Sequence, residues 1–323
     1  MKLKEFYNFV VEEGILSDPR GVEQVKKGLS VSKQKYDKLD NEKKSEFDME
    51  ILKNPYRDTR ILNGSGEEEI KSILVGIDID AAEIMLAEYL WKSGRLKTKI
   101  DLVLSHHPSG YAYANFYEVM GMQSEILEKF GVPINVAEGL LSKRMKEVAR
   151  RVMPVNHTKS GDAAKLLGIP FMCAHTVADN HVAKYLQEKF DSVKPYFVSD
   201  VVSTLKTIPE YKNAVTETVG PKILVGNEEN RAGKVFVDMT GGTEGAVEFL
   251  EKLSIAGVGT IVAMHMSEEH IKNAEKSNIN IVVAGHISSD TLGLNLLFDK
   301  VENKFGPVDF IPCSGFRRIK HSG

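Results

Sequence analysis

Two adjacent histidines stand where a predicted strand ends. The stretch "LSHHPSG" (104–110) closes an apolar run with His106 and His107, and a proline follows them directly. Pro108 disfavours helical backbone for His107, so we expect that residue to be extended. Because successive side chains point to opposite sides of extended backbone, the two imidazoles are not expected to bind one ion together. They could reach two neighbouring ions, or one could be a ligand while the other orients it.

Further histidines and aspartates follow other predicted strands. His286 comes one glycine after the run at 279–284, and Asp290 lies four residues on, in the first turn of a predicted helix. Asp179 is predicted to cap a helix that follows His175. Groups at the carboxyl ends of parallel strands can converge, and imidazole with carboxylate suits zinc, iron or manganese. The joint pattern predicts a metal site, although capping explains each aspartate alone. Other groups at strand ends are Asp78, Asp80, Asp238 and His265.

The elements that must position these residues are the strands of an α/β fold. Short and nearly continuous apolar runs are typical of strands that are covered on both faces. They alternate here with amphipathic helical segments, which predicts largely parallel sheets. The runs lie at 72–80, 100–105, 168–176, 234–240, 259–265 and 279–285.

The chain is expected to form two α/β lobes with mostly parallel sheets that face a shared central metal-binding cleft. Its 323 residues exceed one average domain. In the N-terminal part, helices are predicted at 4–14 and 33–52, followed by a loop over 54–68. We assign residues 1–70 to an N-terminal helical segment, 71–190 to the first lobe, 191–233 to a connecting segment and 234–323 to the second lobe.

The composition disfavours several classes of partner and site. A net charge of −3 is too small to favour nucleic acid or an anionic membrane as an obligatory partner. No run approaches the roughly 18 apolar residues of a membrane span, and the acidic Glu12 and Glu13 do not suit a signal peptide. With only Cys173 and Cys313, neither a disulfide framework nor a thiolate zinc site is expected. We therefore expect a cytoplasmic protein.

Three stretches together resemble the Nif-three-like family (NGG-one-interacting factor three), often labelled GTP cyclohydrolase 1 type 2 homologs. "DLVLSHHPSG" resembles the family's strand and His-His-Pro, "CAHTVAD" its His-Thr-x-x-Asp element, and "VVAGHISSDTLGLNLL" its Gly-His-x-x-(Ser/Thr)-Glu element. The resemblance implies two divalent metal ions between two α/β halves, and a homohexamer built from dimers. The ligands it implies are His106, His107, Asp179, His286 and Asp290.

The chain departs from the family pattern near this site. Asp290 stands where the family has glutamate, and its shorter side chain is expected to bridge poorly or to shift the metal preference. His181 replaces an expected glycine-rich turn; it is either a further ligand or, as we favour, a residue on a solvated helix face. His265 or His270 matches a histidine that precedes a helix in the family, and either could orient a ligand.

Two classes of function follow from these residues. Two neighbouring ions can activate water and clamp a substrate oxygen. The first class is therefore a metal-dependent hydrolase that acts on a nucleotide-like or phosphoester substrate through metal-bound hydroxide. His175 is its candidate acid or base, or the partner of a ligand. The nucleotide rests on the family label alone, because "TGGTEG" (240–245) is more typical of a structural turn than of a phosphate loop. The alternative is a metal-holding adaptor or metallochaperone without turnover, with the basic helix at 140–151 as its partner surface.

Overall fold

The computed structural model describes residues 1–217 and 219–321. It contains two sheets surrounded by helices, which confirms the predicted α/β class. The strands are β1 (Arg60–Asn63), β2 (Ser72–Gly76), β3 (Leu102–Ser105), β4 (Phe171–Cys173), β5 (Lys222–Val225), β6 (Lys234–Asp238), β7 (Val258–Ala263), β8 (Asn280–Val283) and β9 (Asp309–Pro312).

The helices occupy the N-terminal part and most connections between strands. Two short 3-10 helices, Met49–Leu52 and Phe116–Gly121, accompany them. The α-helices are α1 (Leu3–Leu16), α2 (Val22–Asp37), α3 (Asn41–Ser45), α4 (Ala81–Lys92), α5 (Gly110–Ala114), α6 (Met122–Lys129), α7 (Ile134–Val152), α8 (Lys159–Leu167), α9 (Thr176–Val193), α10 (Val198–Lys206), α11 (Pro209–Thr216), α12 (Phe249–Ile255), α13 (Glu268–Lys276) and α14 (His286–Phe305).

Both sheets are mostly parallel, as predicted. The first sheet has the order β1-β4-β3-β2-β9, and only β1 runs antiparallel to its neighbour. The second has the order β5-β8-β7-β6, and only β5 is antiparallel. All six predicted apolar runs contain a strand. In the parallel arrangement, the carboxyl ends of the strands of each sheet meet at one edge.

Three edge strands were not predicted. β1 lies inside the residues 54–68 predicted as a loop, β5 has alternating exposed positions, and β9 follows the last helix. β9 pairs with β2 of the first sheet, and β5 pairs with β8 of the second. The lobe boundaries assigned from the sequence stay a prediction, and each sheet takes strands from both sides of them.

The prediction of one helix over 33–52 is wrong. The helix α2 begins at Val22 and ends at Asp37, and two shorter helical segments follow it. The carboxylate of Asp40 accepts the N–H of Lys43, and that of Asp48 accepts the N–H of Glu50. Each aspartate satisfies the free N–H groups of a new first turn, which divides the polar stretch into separate helical pieces.

A central layer of helices joins the two sheets. α9 places Val177 in the core against the first sheet and Leu186 in the core against the second, and α14 does the same with Phe298 and Leu292. The outer face of each sheet packs on other helices, α4 and α8 on the first, and α6, α7, α12 and α13 on the second. Both sheets are therefore covered on both faces, which explains their continuous apolar runs.

The two central helices approach each other closely where Gly293 faces Ala178. A Cβ at Gly293 would lie 2.5 Å from the carbonyl oxygen of Ala178, so a larger residue would force α9 and α14 apart. In the part of the chain that is described, none of the helices has the length and apolar content needed to cross a membrane.

Candidate metal centre

The five predicted ligands converge at the first turns of the central helices. His106 and His107 follow β3, Asp179 lies in the first turn of α9, and His286 and Asp290 lie in the first turns of α14. His106, Asp179 and Asp290 are buried, whereas the side chains of His107 and His286 are 24% and 39% exposed. The group therefore has a buried floor and a more open side.

Asp290 lies between three imidazoles. Its Oδ1 is 3.5 Å from Nε2 of His106, and its Oδ2 is 3.5 Å from Nε2 of His107 and 3.6 Å from Nε2 of His286. Asp179 Oδ1 lies 3.4 Å from Nε2 of His106. Two sets of possible ligands result, His106 and Asp179 with Asp290, and His107 and His286 with Asp290. The short carboxylate thus presents one oxygen to each set.

The histidine pair is closer together than the sequence predicted. Its ring centroids are 5.2 Å apart, and a third possible ligand set unites His106 and His107 with His175. The expectation that the two rings do not bind one ion together stays a prediction, because the third set would unite them whereas the first two assign them to different ions. The backbone bends at both residues instead of continuing as a strand.

Several buried polar atoms of this centre have no partner. Nε2 of His106, Oδ1 of Asp179 and both carboxylate oxygens of Asp290 form no hydrogen bond within the described residues. Buried polar atoms are nearly always paired, because an unpaired one loses its hydration without compensation. Nε2 of His106 lies between Oδ1 of Asp179 and Oδ1 of Asp290, whereas Oδ2 of Asp290 faces His107 and His286. A cation in each of these two groups would satisfy the unpartnered atoms. The residues present fit a metal ion.

The imidazoles are also held in the orientation of metal ligands. Nδ1 of His106 is 3.2 Å from the carbonyl oxygen of Ala174, and Nδ1 of His107 is 2.7 Å from Asp78. Each ring therefore turns Nε2 toward the centre. Histidine ligands commonly donate their second N–H to such an oxygen, which fixes the tautomer.

The electrostatics of the centre favour positive charge. Burial lowers the pKa of His106, but the carboxylates of Asp290 and Asp179 outweigh it and raise that pKa to about 10. Burial, together with the neighbouring His106 and His175, lowers the pKa of His107 to about 4. Burial opposes ionisation of Asp290, yet the adjacent imidazoles lower its pKa. The two carboxylates thus hold a proton on one imidazole where a metal ion could replace it.

His175 is held by a residue that sequence reasoning missed. Nδ1 of His175 is 2.8 Å from Oδ2 of the fully buried Asp58, which also accepts the hydroxyl of Thr176 at 2.6 Å. Nε2 of His175 lies 3.6 Å from Asp179 Oδ2. The geometry allows His175 to act as a ligand as well as the acid or base that we predicted. Asp58 precedes an edge strand inside an apparent loop, and nothing in its sequence surroundings indicated this role.

Two predictions along α9 are wrong. The helix begins at Thr176, so Asp179 lies in its first turn and does not cap it, which leaves the carboxylate free to face His106. His181 is 5% exposed, and its Nδ1 lies 2.7 Å from the carbonyl oxygen of Val177. It is not on a solvated face, because α1 and α14 cover α9 there. Nor does it join any possible ligand set among the described residues.

A second polar cluster lies at the carboxyl ends of β6 and β7. Glu244, which the sequence did not single out, accepts the N–H of Ser267 at 2.8 Å and lies 3.2 Å from Nδ1 of His265. The His265 ring packs against His286, with centroids 4.9 Å apart, so it lies beside a predicted ligand. His270 is more distant and is bonded to Ser267 at 2.7 Å. Burial and the nearby Glu244 raise the pKa of Asp238 to about 6.

Comparison with known proteins relates this architecture to solved structures. No protein-family model matches the sequence, and no curated protein matches it. The chain is similar to a NIF3 superfamily protein from Sphaerobacter thermophilus, with a TM-score of 0.68 and 28% identity over 80% of this chain and 91% of that one. Reduced HcgD from Methanocaldococcus jannaschii gives a TM-score of 0.45 and 16% identity over 79% of this chain and 87% of that one. A Bacillus cereus protein related to NIF3 gives a TM-score of 0.40 and 12% identity over 79% of this chain and 90% of that one.

Proposed function

From its similarity to a NIF3 superfamily structure and from the geometry of the centre, we propose that the chain is a member of that superfamily and a metal-dependent hydrolase with a dinuclear centre. The observation that carries the proposal is Asp290, whose two buried and unpartnered oxygens each face a different set of imidazoles. His106 and Asp179 would complete one ion's ligands, and His107 and His286 the other's. This nitrogen and oxygen donor set suits zinc, iron or manganese.

The protein's own residues prepare the centre for chemistry. Divalent ions held in this way lower the pKa of a bound water and polarise a substrate oxygen. Asp58 fixes the ring of His175, and Asp78 fixes that of His107, so both imidazoles present Nε2 without reorientation. A substrate would approach from the more open side, where His107 and His286 are partly exposed. His265 lies there too, with its Nδ1 held by Glu244.

The substrate is proposed only as a small molecule, nucleotide-like or phosphoester, as the family label suggests. The alternative, a metal-holding adaptor without turnover, uses the same ligands. The basic helix α7 would then be its partner surface, although Arg144 on that helix is engaged by the carbonyl oxygen of Glu244 at 3.2 Å. We also propose a homo-oligomer, which light scattering on the purified chain measures.

The test combines metal analysis with turnover. Purified protein is stripped with a chelator, reloaded separately with zinc, ferrous iron or manganese, and assayed against nucleotides, phosphoesters and amides. We expect two ions per chain and activity that one of these metals restores. Asp290→Ala should lose both ions. Full metal content in that variant would contradict the dinuclear assignment, while loaded but inactive protein that captures a defined partner would favour the adaptor.

A further inference from the structure

A cavity separates the candidate metal centre from the second sheet. Asp179 and His286, two of the proposed ligands, line it together with His175, Asp238, Glu244 and His265. Because proposed ligands belong to its lining, the cavity borders the centre directly. A substrate that reacts at the centre would place its remaining groups near Asp238 and Glu244.

The approaches to the centre are acidic. The described residues that line this cavity include no lysine or arginine, and Asp238 and Glu244 add two carboxylates beyond the proposed ligands. A second cleft reaches His107 from the other flank and is lined by Asp78, Asp80 and Glu83. Its Lys159 is already paired with Asp80 at 2.6 Å. A phosphate group would meet these carboxylates on both routes, which opposes its binding outside the centre, whereas bound metal ions would attract it at the centre itself.

The two carboxylates of the cavity differ in their hydrogen-bond partners. Glu244 is already engaged by the backbone N–H of Ser267 and by His265. Asp238 stands partly buried at the end of β6, and among residues 1–217 and 219–321 no hydrogen bond or ion pair reaches its carboxylate. A partly buried carboxylate of this kind can accept a short and strong hydrogen bond from a charged N–H donor.

We propose that this cavity binds a cationic, N–H-donating group of the substrate, an ammonium or amidinium, and that Asp238 is the residue that recognises it. The inference deepens the proposed function. Its claim about the reaction rests on that function, whereas its claim about binding does not. It narrows the substrate from nucleotide-like compounds and phosphoesters in general to small cationic molecules, which carry the hydrolysed bond next to the charged group.

The experiment measures binding to the zinc-loaded full chain by calorimetry. Three probes share one ring and differ in charge: benzamidine is cationic, benzamide is neutral and phenyl phosphate is anionic. We expect benzamidine to bind roughly tenfold more tightly than either of the others, the size of one charge-assisted hydrogen bond. Asp238→Asn should remove this preference. Asp309→Asn, the same change at an exposed strand residue far from the cavity lining, should keep it.

The outcomes separate the two proposals. Equal binding of benzamidine and benzamide, tighter binding of phenyl phosphate, or an unchanged preference in folded Asp238→Asn would each overturn the inference. The comparison of the three probes needs no variant, so it stands even if Asp238→Asn fails to fold. Benzamidine preference without any turnover would support the cavity and contradict the hydrolase. Turnover of phosphoesters without a preference for benzamidine would support the hydrolase and contradict the proposed cation site.

Discussion

Two polar clusters at the ends of strands hold similar residues that do different things. Where β3 ends beside the first turns of α9 and α14, buried carboxylates and imidazoles leave Asp179 and Asp290 with unpartnered oxygens. At the second sheet, Glu244 is engaged by Ser267 and His265. The residue types are nearly the same at both places. The unpartnered oxygens of Asp179 and Asp290 are buried beside imidazoles, which suits metal ligands, whereas Glu244 is satisfied by the protein itself and Asp238 lines the cavity.

The largest effect is expected from removing a carboxylate at each place. Asp290→Ala should lower metal affinity by more than about 100-fold, because it removes oxygens that face both sets of ligands. Glu244→Gln should keep both ions. Elemental analysis after dialysis measures the difference. If Glu244→Gln loses metal as completely as Asp290→Ala, the two places do not differ in metal binding and the prediction is contradicted.

A smaller effect is expected from the carboxylates that hold the imidazoles. Asp58→Asn should weaken metal binding roughly 10- to 100-fold, because His175 and Thr176 both depend on the buried carboxylate. Asp78→Asn is the matched control: its side chain is 71% exposed, so water can replace it at His107 and the loss should be smaller. Competition with a metal indicator gives both affinities. A larger loss in Asp78→Asn would contradict the importance of burial.

The spacing of the central helices sharpens the comparison further. Gly293→Ala should push α14 away from Ala178 and destabilise the chain by about 1–3 kcal/mol, as overpacking typically does. Gly139→Ala, at an exposed helical position with no atom within 4 Å of the added Cβ, should instead stabilise it by about 0.5–1 kcal/mol. Denaturant unfolding measures both. Equal changes in the free energy of unfolding of the two variants would contradict the close packing of α9 and α14 at Gly293.

The smallest effect is a pH dependence confined to metal-free protein. The pKa of His106 is raised from 6.5 to about 10 in the folded chain. Protonated His106 therefore adds stability that is fully present below the unfolded value of 6.5 and is lost as pH rises toward about 10. Thermal unfolding of stripped protein should show this decline relative to zinc-loaded protein. Parallel profiles for the two forms would show that the imidazole does not carry the proton.

Much of this arrangement is readable from the sequence, and the reason is physical. Strands covered on both faces must be continuously apolar, so every inner strand left a clear signal. The parallel order then brings the carboxyl ends of the strands of each sheet to one edge. The packing of α9 and α14 between the sheets is what brings His106 and Asp290 together. Edge strands such as β1 are covered less completely and are short, and their pattern resembles that of a loop.

What the sequence did not reveal depends on packing between distant segments. Asp58 matters because β1 pairs with β4 and carries the carboxylate beneath His175, a contact across more than a hundred residues of chain. His181 was expected on a solvated helix face, but it is buried in a helix on which α1 and α14 pack, and no local pattern reports what a distant helix will cover. Glu244 follows a glycine turn whose shape is set by Gln123, which bonds the carbonyl oxygens of Gly241 and Thr243.

The central helical layer also has a thermodynamic consequence. Its first turns bring together stretches that are far apart along the chain, so bound ions would close long loops and fasten the two halves of the molecule to each other. Closing such loops removes freedom mainly from the unfolded chain. Metal loading should then make the two halves unfold in one transition. The stability of the folded protein in the cell would depend on the supply of metal.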